Sequence, residues 1–79
     1  MPNVKLLFFG ATADLSGRKE VAVETVESSA GEFLRHVVAE YPQLASHKLL
    51  IAINQEHATP DAVIRDGDEV AIFTPVSGG

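Results

Sequence analysis

The 79 residues contain no cysteine, which removes disulfide staples, thiolate metal sites and side-chain thiol chemistry. Basic residues are scarce. Six Lys and Arg face eleven Asp and Glu, a formal net charge of −5 at pH 7. Phosphate backbones are bound by clustered Lys and Arg, so the balance speaks against nucleic acid and for a partner with a basic surface. No apolar run approaches the roughly 20 residues that cross a bilayer, so no membrane span is expected. The stretch Met1-Pro2-Asn3-Val4-Lys5 has neither the basic segment nor the cleavage site of a secretory signal, and a cytoplasmic location is the expectation.

What is present fits one small globular unit. The chain is 46% hydrophobic and 22% charged, which is not the composition of a disordered segment. A chain this short buries only about 60% of its unfolded surface, so little apolar material is left over. "NVKLLFFG" alternates as a strand, with Val4, Leu6 and Phe8 on one face and Lys5, Leu7 and Phe9 on the other. Two largely apolar faces suit a strand inside the sheet. "ATADLSGRK" reads as a loop with its turn at Ser16-Gly17. "EVAVETV" alternates again, with Val21 and Val23 inward, and closes an antiparallel hairpin with the first strand.

The period then changes. Ser29 and Glu32 form a capping-box pair, and Phe33, Leu34, Val37, Val38 and Tyr41 recur at helical spacing until Pro42 stops the run. "KLLIAINQ" is a third strand ending in a turn at Asn54. "EHATPDAVIRDGDEV" reads mostly as connection, with a turn at Asp66-Gly67. "EVAIFTP" is the last strand, with Val70 and Ile72 on one face and Ala71 and Phe73 on the other. Pro75 has no N–H, so pairing should fade there. Strand, strand, helix, strand, connection, strand is an α+β order. One main helix lies across one face of a mixed sheet, and the last strand runs parallel to the first.

Side-chain constellations for catalysis are lacking. His36, His47 and His57 have no second ligand at metal spacing. Asp61, Asp66, Asp68 and Glu69 do not follow a calcium-loop pattern and read as a solvated turn. There is no nucleophile elbow and no phosphate-cradling glycine loop. What remains is the ending "FTPVSGG". Glycine has no Cβ, so Gly78-Gly79 can thread a channel that admits only backbone and leaves a terminal carboxyl unhindered. A carboxylate is a poor electrophile until activated, for instance as an acyl-adenylate. A sulfur nucleophile that displaces AMP leaves a thiocarboxylate, and that chemistry needs no cysteine in this chain.

The stretches "VKLLFFG", "LLIAINQ" and "DGDEVAIFTPVSGG" resemble, in order and spacing over nearly the whole chain, the MoaD/ThiS group of ubiquitin-like sulfur carriers. Within it they resemble the MoaD-type small subunit of molybdopterin synthase. The resemblance implies a ubiquitin-like β-grasp domain over residues 1–75 and a flexible Gly-Gly tail over 76–79. It implies that Gly79 is adenylated by an E1-like adenylyltransferase that uses ATP and Mg²⁺, and is then converted to the thiocarboxylate. The sulfur, carried covalently at Gly79, would pass to cyclic pyranopterin monophosphate inside the large, catalytic subunit of molybdopterin synthase. This chain would bind no cofactor directly and contribute no independent catalytic side chain.

Site residues follow from the resemblance and from strand alternation. Gly79 bears the sulfur, and Gly78 allows the tail to thread. Phe73 is expected on the outer sheet face as a docking anchor, and Pro75, Val76 and Ser77 seat the tail's exit. His57 stands where the family often has an apolar, partner-facing residue, and Thr74 where many members have proline; both depart from the pattern. Three other readings stay open: a ThiS-type carrier for thiamine thiazole synthesis, a ubiquitin-like modifier joined to lysines, and a binding domain with no tail chemistry.

Overall fold

A computed structural model describes residues 3–25 and 28–75. Val76, Ser77, Gly78 and Gly79 lie outside the described residues, as do 1–2 and 26–27. Strands β1 (Asn3–Phe8), β2 (Glu20–Glu24), β4 (Leu50–Ile53), β5 (Glu56–His57) and β7 (Glu69–Phe73) form one sheet in the order β2-β1-β7-β4-β5. β1 is antiparallel to β2 and parallel to β7, and β4 is antiparallel to both β7 and β5. The hairpin, the mixed sheet and the interior place of β1 are as its sequence pattern implies. β3 (Ser28–Ser29) and β6 (Val63–Ile64) make a separate two-stranded ladder.

One face of the large sheet carries helix α2 (Ala30–Glu40). Val4, Leu6 and Phe8 of β1, Val70 and Ile72 of β7 and Ile51 of β4 meet Phe33 and Val37 of α2, with Leu44 and Ile64 closing the ends. Phe8 also meets Tyr41 edge-on, ring centroids 5.2 Å apart. Alternation in the strands and the helical stripe in α2 are thus the two halves of a single core. Ser29 caps α2 by accepting the Glu32 N–H at 3.2 Å, and its hydroxyl lies 3.5 Å from the Glu32 carboxylate. The first helical N–H groups are taken by backbone: Ala30 donates to the Ala62 carbonyl at 2.8 Å and Gly31 to that of Pro60 at 2.9 Å. An added Cβ at Gly31 would sit 3.3 Å from Pro60, so the close approach explains a glycine inside a helix.

Two segments differ from the sequence expectation. Residues read as a loop form helix α1 (Ala11–Ser16). Six residues do not hold a helix alone. Here Gly17 ends it in the left-handed region at φ 75°, its N–H on the Ala13 carbonyl, and the buried Thr12 ties it to the sheet. The stretch after Asn54, read as connection, contains β5 and β6. Asn54 and Gln55 both have positive φ, 51° and 70°, and Ile53 pairs with Glu56 across them. That is the two-residue hairpin turn whose twist matches its strands. The acidic turn is a turn as expected, and two of its carboxylates are hydrogen-bonded within the fold. Asp66 accepts from the Asn3 N–H at 2.7 Å. Asp68 accepts from the Arg65 N–H at 2.7 Å and from the Asn54 side chain at 3.0 Å.

Candidate functional site at the open sheet face and the end of the last strand

Among the described residues, the helix covers one face of the sheet and leaves the other open. Register places Leu7 of β1, Ala71 and Phe73 of β7, Leu50 and Ala52 of β4 and His57 of β5 on the open face. Alternation forces this outcome: Val70 and Ile72 must point to the core, so Ala71 and Phe73 must not. The result is an apolar patch in the middle of the sheet, with Lys5, Glu20 and Glu69 on the same side at its margin.

Phe73 ends β7, the central strand, and sits on the open face as expected. It is half-buried rather than freely exposed. Its ring meets His57 edge-on, centroids 5.4 Å apart at 79°. The fold therefore brings together two residues, sixteen positions apart, that were singled out for partner contact. His57 itself is exposed. Phe9 completes the patch: it is 52% exposed and shares a shallow depression with Phe73, His57, Ala71 and Ala52. Sequence reasoning put Phe9 on this face but gave it no role. A large apolar side chain just past the end of a strand was the available signal.

The end of β7 is fixed from the other side. Thr12 is fully buried, and its hydroxyl lies 2.8 Å from the Ile72 carbonyl and 2.7 Å from that of Phe9. The Phe9 N–H donates to the same Ile72 carbonyl at 3.1 Å. The strand is thus held one residue before Phe73, and the chain then leaves through Thr74, half-buried, and Pro75, exposed. Thr12 was missed because its link to Ile72 spans 60 positions and its segment was read as loop. Val76, Ser77, Gly78 and Gly79 follow outside the described residues. Of the residues singled out from sequence, the described ones, Phe73, His57 and Pro75, lie at the end of β7 and on the open face beside it.

A mixed sheet crossed by one main helix, with its C-terminal strand in the centre and one face open, is the ubiquitin-like architecture, α+β as expected. The ThiS family model matches residues 6–79, and the chain belongs to that family. Its curated relatives include the molybdopterin synthase sulfur carrier subunits of Caenorhabditis briggsae, 36% identical with all of both chains covered, and of Escherichia coli, 35% identical over 96% of this chain and 99% of the relative. Among solved structures it resembles the Haloferax volcanii SAMP1, a small archaeal modifier protein, with TM-score 0.83 and 27% identity over 98% and 99% of the two chains. It also shares the fold of a chain from the complex of subunits 1 and 2 of the Helicobacter pylori molybdopterin-converting factor, with TM-score 0.68 and 22% identity over 98% and 99% of the two chains.

Proposed function

We propose that this chain is the sulfur-carrying small subunit of a molybdopterin synthase, with Gly79 as the carrier position. An E1-like enzyme, using ATP and Mg²⁺, joins the Gly79 carboxylate to AMP and releases pyrophosphate. A sulfur donor then displaces AMP to leave the thiocarboxylate. The large synthase subunit receives the tail, each thiocarboxylate gives one sulfur to the substrate cyclic pyranopterin monophosphate and returns by hydrolysis to the carboxylate, and two such transfers build the dithiolene of molybdopterin. The folded domain contributes placement. Phe73, with His57 and Phe9, docks on the partner, while Pro75, Val76 and Ser77 lead the slim Gly78-Gly79 segment inward.

The observation that carries this reading is the coincidence of the apolar open face with the exit of β7, in a chain whose full-length relatives are sulfur carrier subunits. An aromatic beside the exit supplies buried area next to the segment that must be threaded, where binding energy can hold it in place. The Helicobacter pylori complex is a precedent for a chain of this fold seated on a second subunit.

The test is the intact mass of the chain after incubation with ATP, Mg²⁺, an activating enzyme and a sulfur donor. The expected result is replacement of one oxygen by sulfur, located in the C-terminal peptide and absent when Gly78 and Gly79 are deleted. An unchanged mass, or full dithiolene synthesis by the truncated chain, overturns the reading. The likeness to SAMP1 favours a second use of the same activated carboxyl, attack by a lysine amine to form an isopeptide. Adducts between Gly79 and lysines of other proteins would identify that use, and sulfur appearing in thiazole rather than dithiolene would identify the ThiS-type carrier.

A further inference from the structure

β2 is an edge strand, paired only with β1 among the described residues. The Phe8 N–H donates to the Lys19 carbonyl at 2.9 Å. Hydrogen-bonded pairs alternate along an antiparallel ladder, so Val21 and Val23 turn their backbone groups towards β1. Glu20, Ala22 and Glu24 turn theirs to the open side. Val21 and Val23 point down towards α2 and are only half-covered. Between this edge and the helix runs a groove floored by Leu6, Phe33, Val37 and Tyr41, with Glu40 and His36 on its helical bank. It lies at the opposite edge of the sheet from β5.

Charge decides what fits. Two copies of β2 paired antiparallel about Ala22 would set Glu20 opposite Glu24 in both directions, and like charges directly opposite destabilise a ladder. Glu20 and Glu24 share the open side with Lys5 opposite Ala22, a net negative margin that favours a foreign strand with cations at those two positions. We infer that the β2 edge is a docking site for an extended peptide segment of another protein with the pattern basic, apolar, any, apolar, basic. The segment adds to the sheet as a sixth strand. Its two apolar side chains cover Val21 and Val23 over the groove, and its two basic ones meet Glu20 and Glu24 on the sheet's open side. This is strand addition, with the backbone supplying affinity and alternate side chains supplying selection. The site is independent of sulfur chemistry at the tail, and binding can be measured with no donor or activating enzyme present.

The experiment titrates the isotope-labelled full chain with the capped peptide Gly-Lys-Val-Thr-Val-Lys-Gly and follows backbone amide resonances. Saturable shifts are expected at Glu20, Ala22 and Glu24. Glutamate in place of both peptide lysines should weaken binding about tenfold, from the loss of two opposed charge pairs, and added salt should weaken the lysine peptide. Ala22→Pro removes an outward N–H without touching the β1 ladder, which an edge strand tolerates, and should abolish binding while the Val4 and Leu6 resonances keep their positions. The double change Glu20→Lys with Glu24→Lys should reverse the preference between the two peptides, and it decides the matter if the proline variant does not fold. Shifts that fail to saturate overturn the proposal. So do shifts centred on Phe73, an unaltered preference in the double variant, or a self-association that Ala22→Pro removes, which would give the edge to a second copy.

Discussion

Thr12 links a buried hydroxyl to the geometry of a distant strand end. Its Oγ1 lies within hydrogen-bond distance of two carbonyls, of which Ile72 also accepts from the Phe9 N–H and Phe9 also accepts from the Thr12 N–H. Thr12→Val keeps the volume and leaves each carbonyl one donor. The loss should therefore be near that of one net hydrogen bond, about 1 kcal/mol in urea unfolding, with faster amide exchange at Phe73. Phe73 plays a different part. It is half-buried on the open face and leans on an exposed histidine, so the domain depends on it little. Phe73→Ala should cost about 1 kcal/mol or less of stability, while weakening binding to the large synthase subunit by about thirtyfold or more, the range of an aromatic anchor at an interface centre. Calorimetric titration of the folded variant checks the contrast; equal affinity would remove Phe73 from the interface.

The hairpin of β4 and β5 turns through two non-glycine residues in the left-handed region. Asn54 is supported there. Its side chain donates to Asp68 at 3.0 Å and accepts the Glu69 N–H at 3.0 Å, and its own N–H reaches the Glu69 carbonyl at 2.7 Å. Gln55, at φ 70°, has a Cβ that this conformation disfavours by about 1–2 kcal/mol. Gln55→Gly should therefore stabilise the chain, by about 0.5–1 kcal/mol once the greater freedom of glycine in the unfolded chain is deducted. A higher midpoint of thermal unfolding with an unchanged urea slope is the expected record. Helix α1 makes the complementary point: six residues become helical because Gly17, legible from sequence only as a turn signal, caps them and because Thr12 is buried against the sheet, which the segment itself does not reveal.

For the molecule as a whole, one thin layer of side chains between the sheet and α2 supplies the core. Phe33 is at its centre, 1% exposed and among its largest members. Phe33→Ala should cost about 3–5 kcal/mol, a loss comparable to the whole stability of many domains of this size, so far-ultraviolet circular dichroism at physiological temperature should show a largely unfolded chain. Among the described residues the core is one-sided, which suits the proposed docking role. A small chain has apolar material for one packed layer, so the second sheet face stays open with Phe73, Phe9 and Ala71 on it, available to another protein.

Strand alternation, the helical stripe and the capping pair made the α+β class, the hairpin, α2 and the core residues readable directly, because these signals repeat at the period of the element that bears them. The Gly-Gly motif is likewise local to the chain, and the carrier role proposed for Gly79 rests on that motif, which lies outside the described residues. Helix α1, strands β5 and β6, the hydrogen-bonded roles of Asp66 and Asp68, the clamp from Thr12 to Ile72 and the meeting of His57 with Phe73 came from the folded molecule alone. Most of these depend on partners distant in sequence, whose contact energy outweighs the weak preferences of the short segments involved; β5 depends instead on the turn Asn54-Gln55, which lacks the glycine that signals a two-residue hairpin.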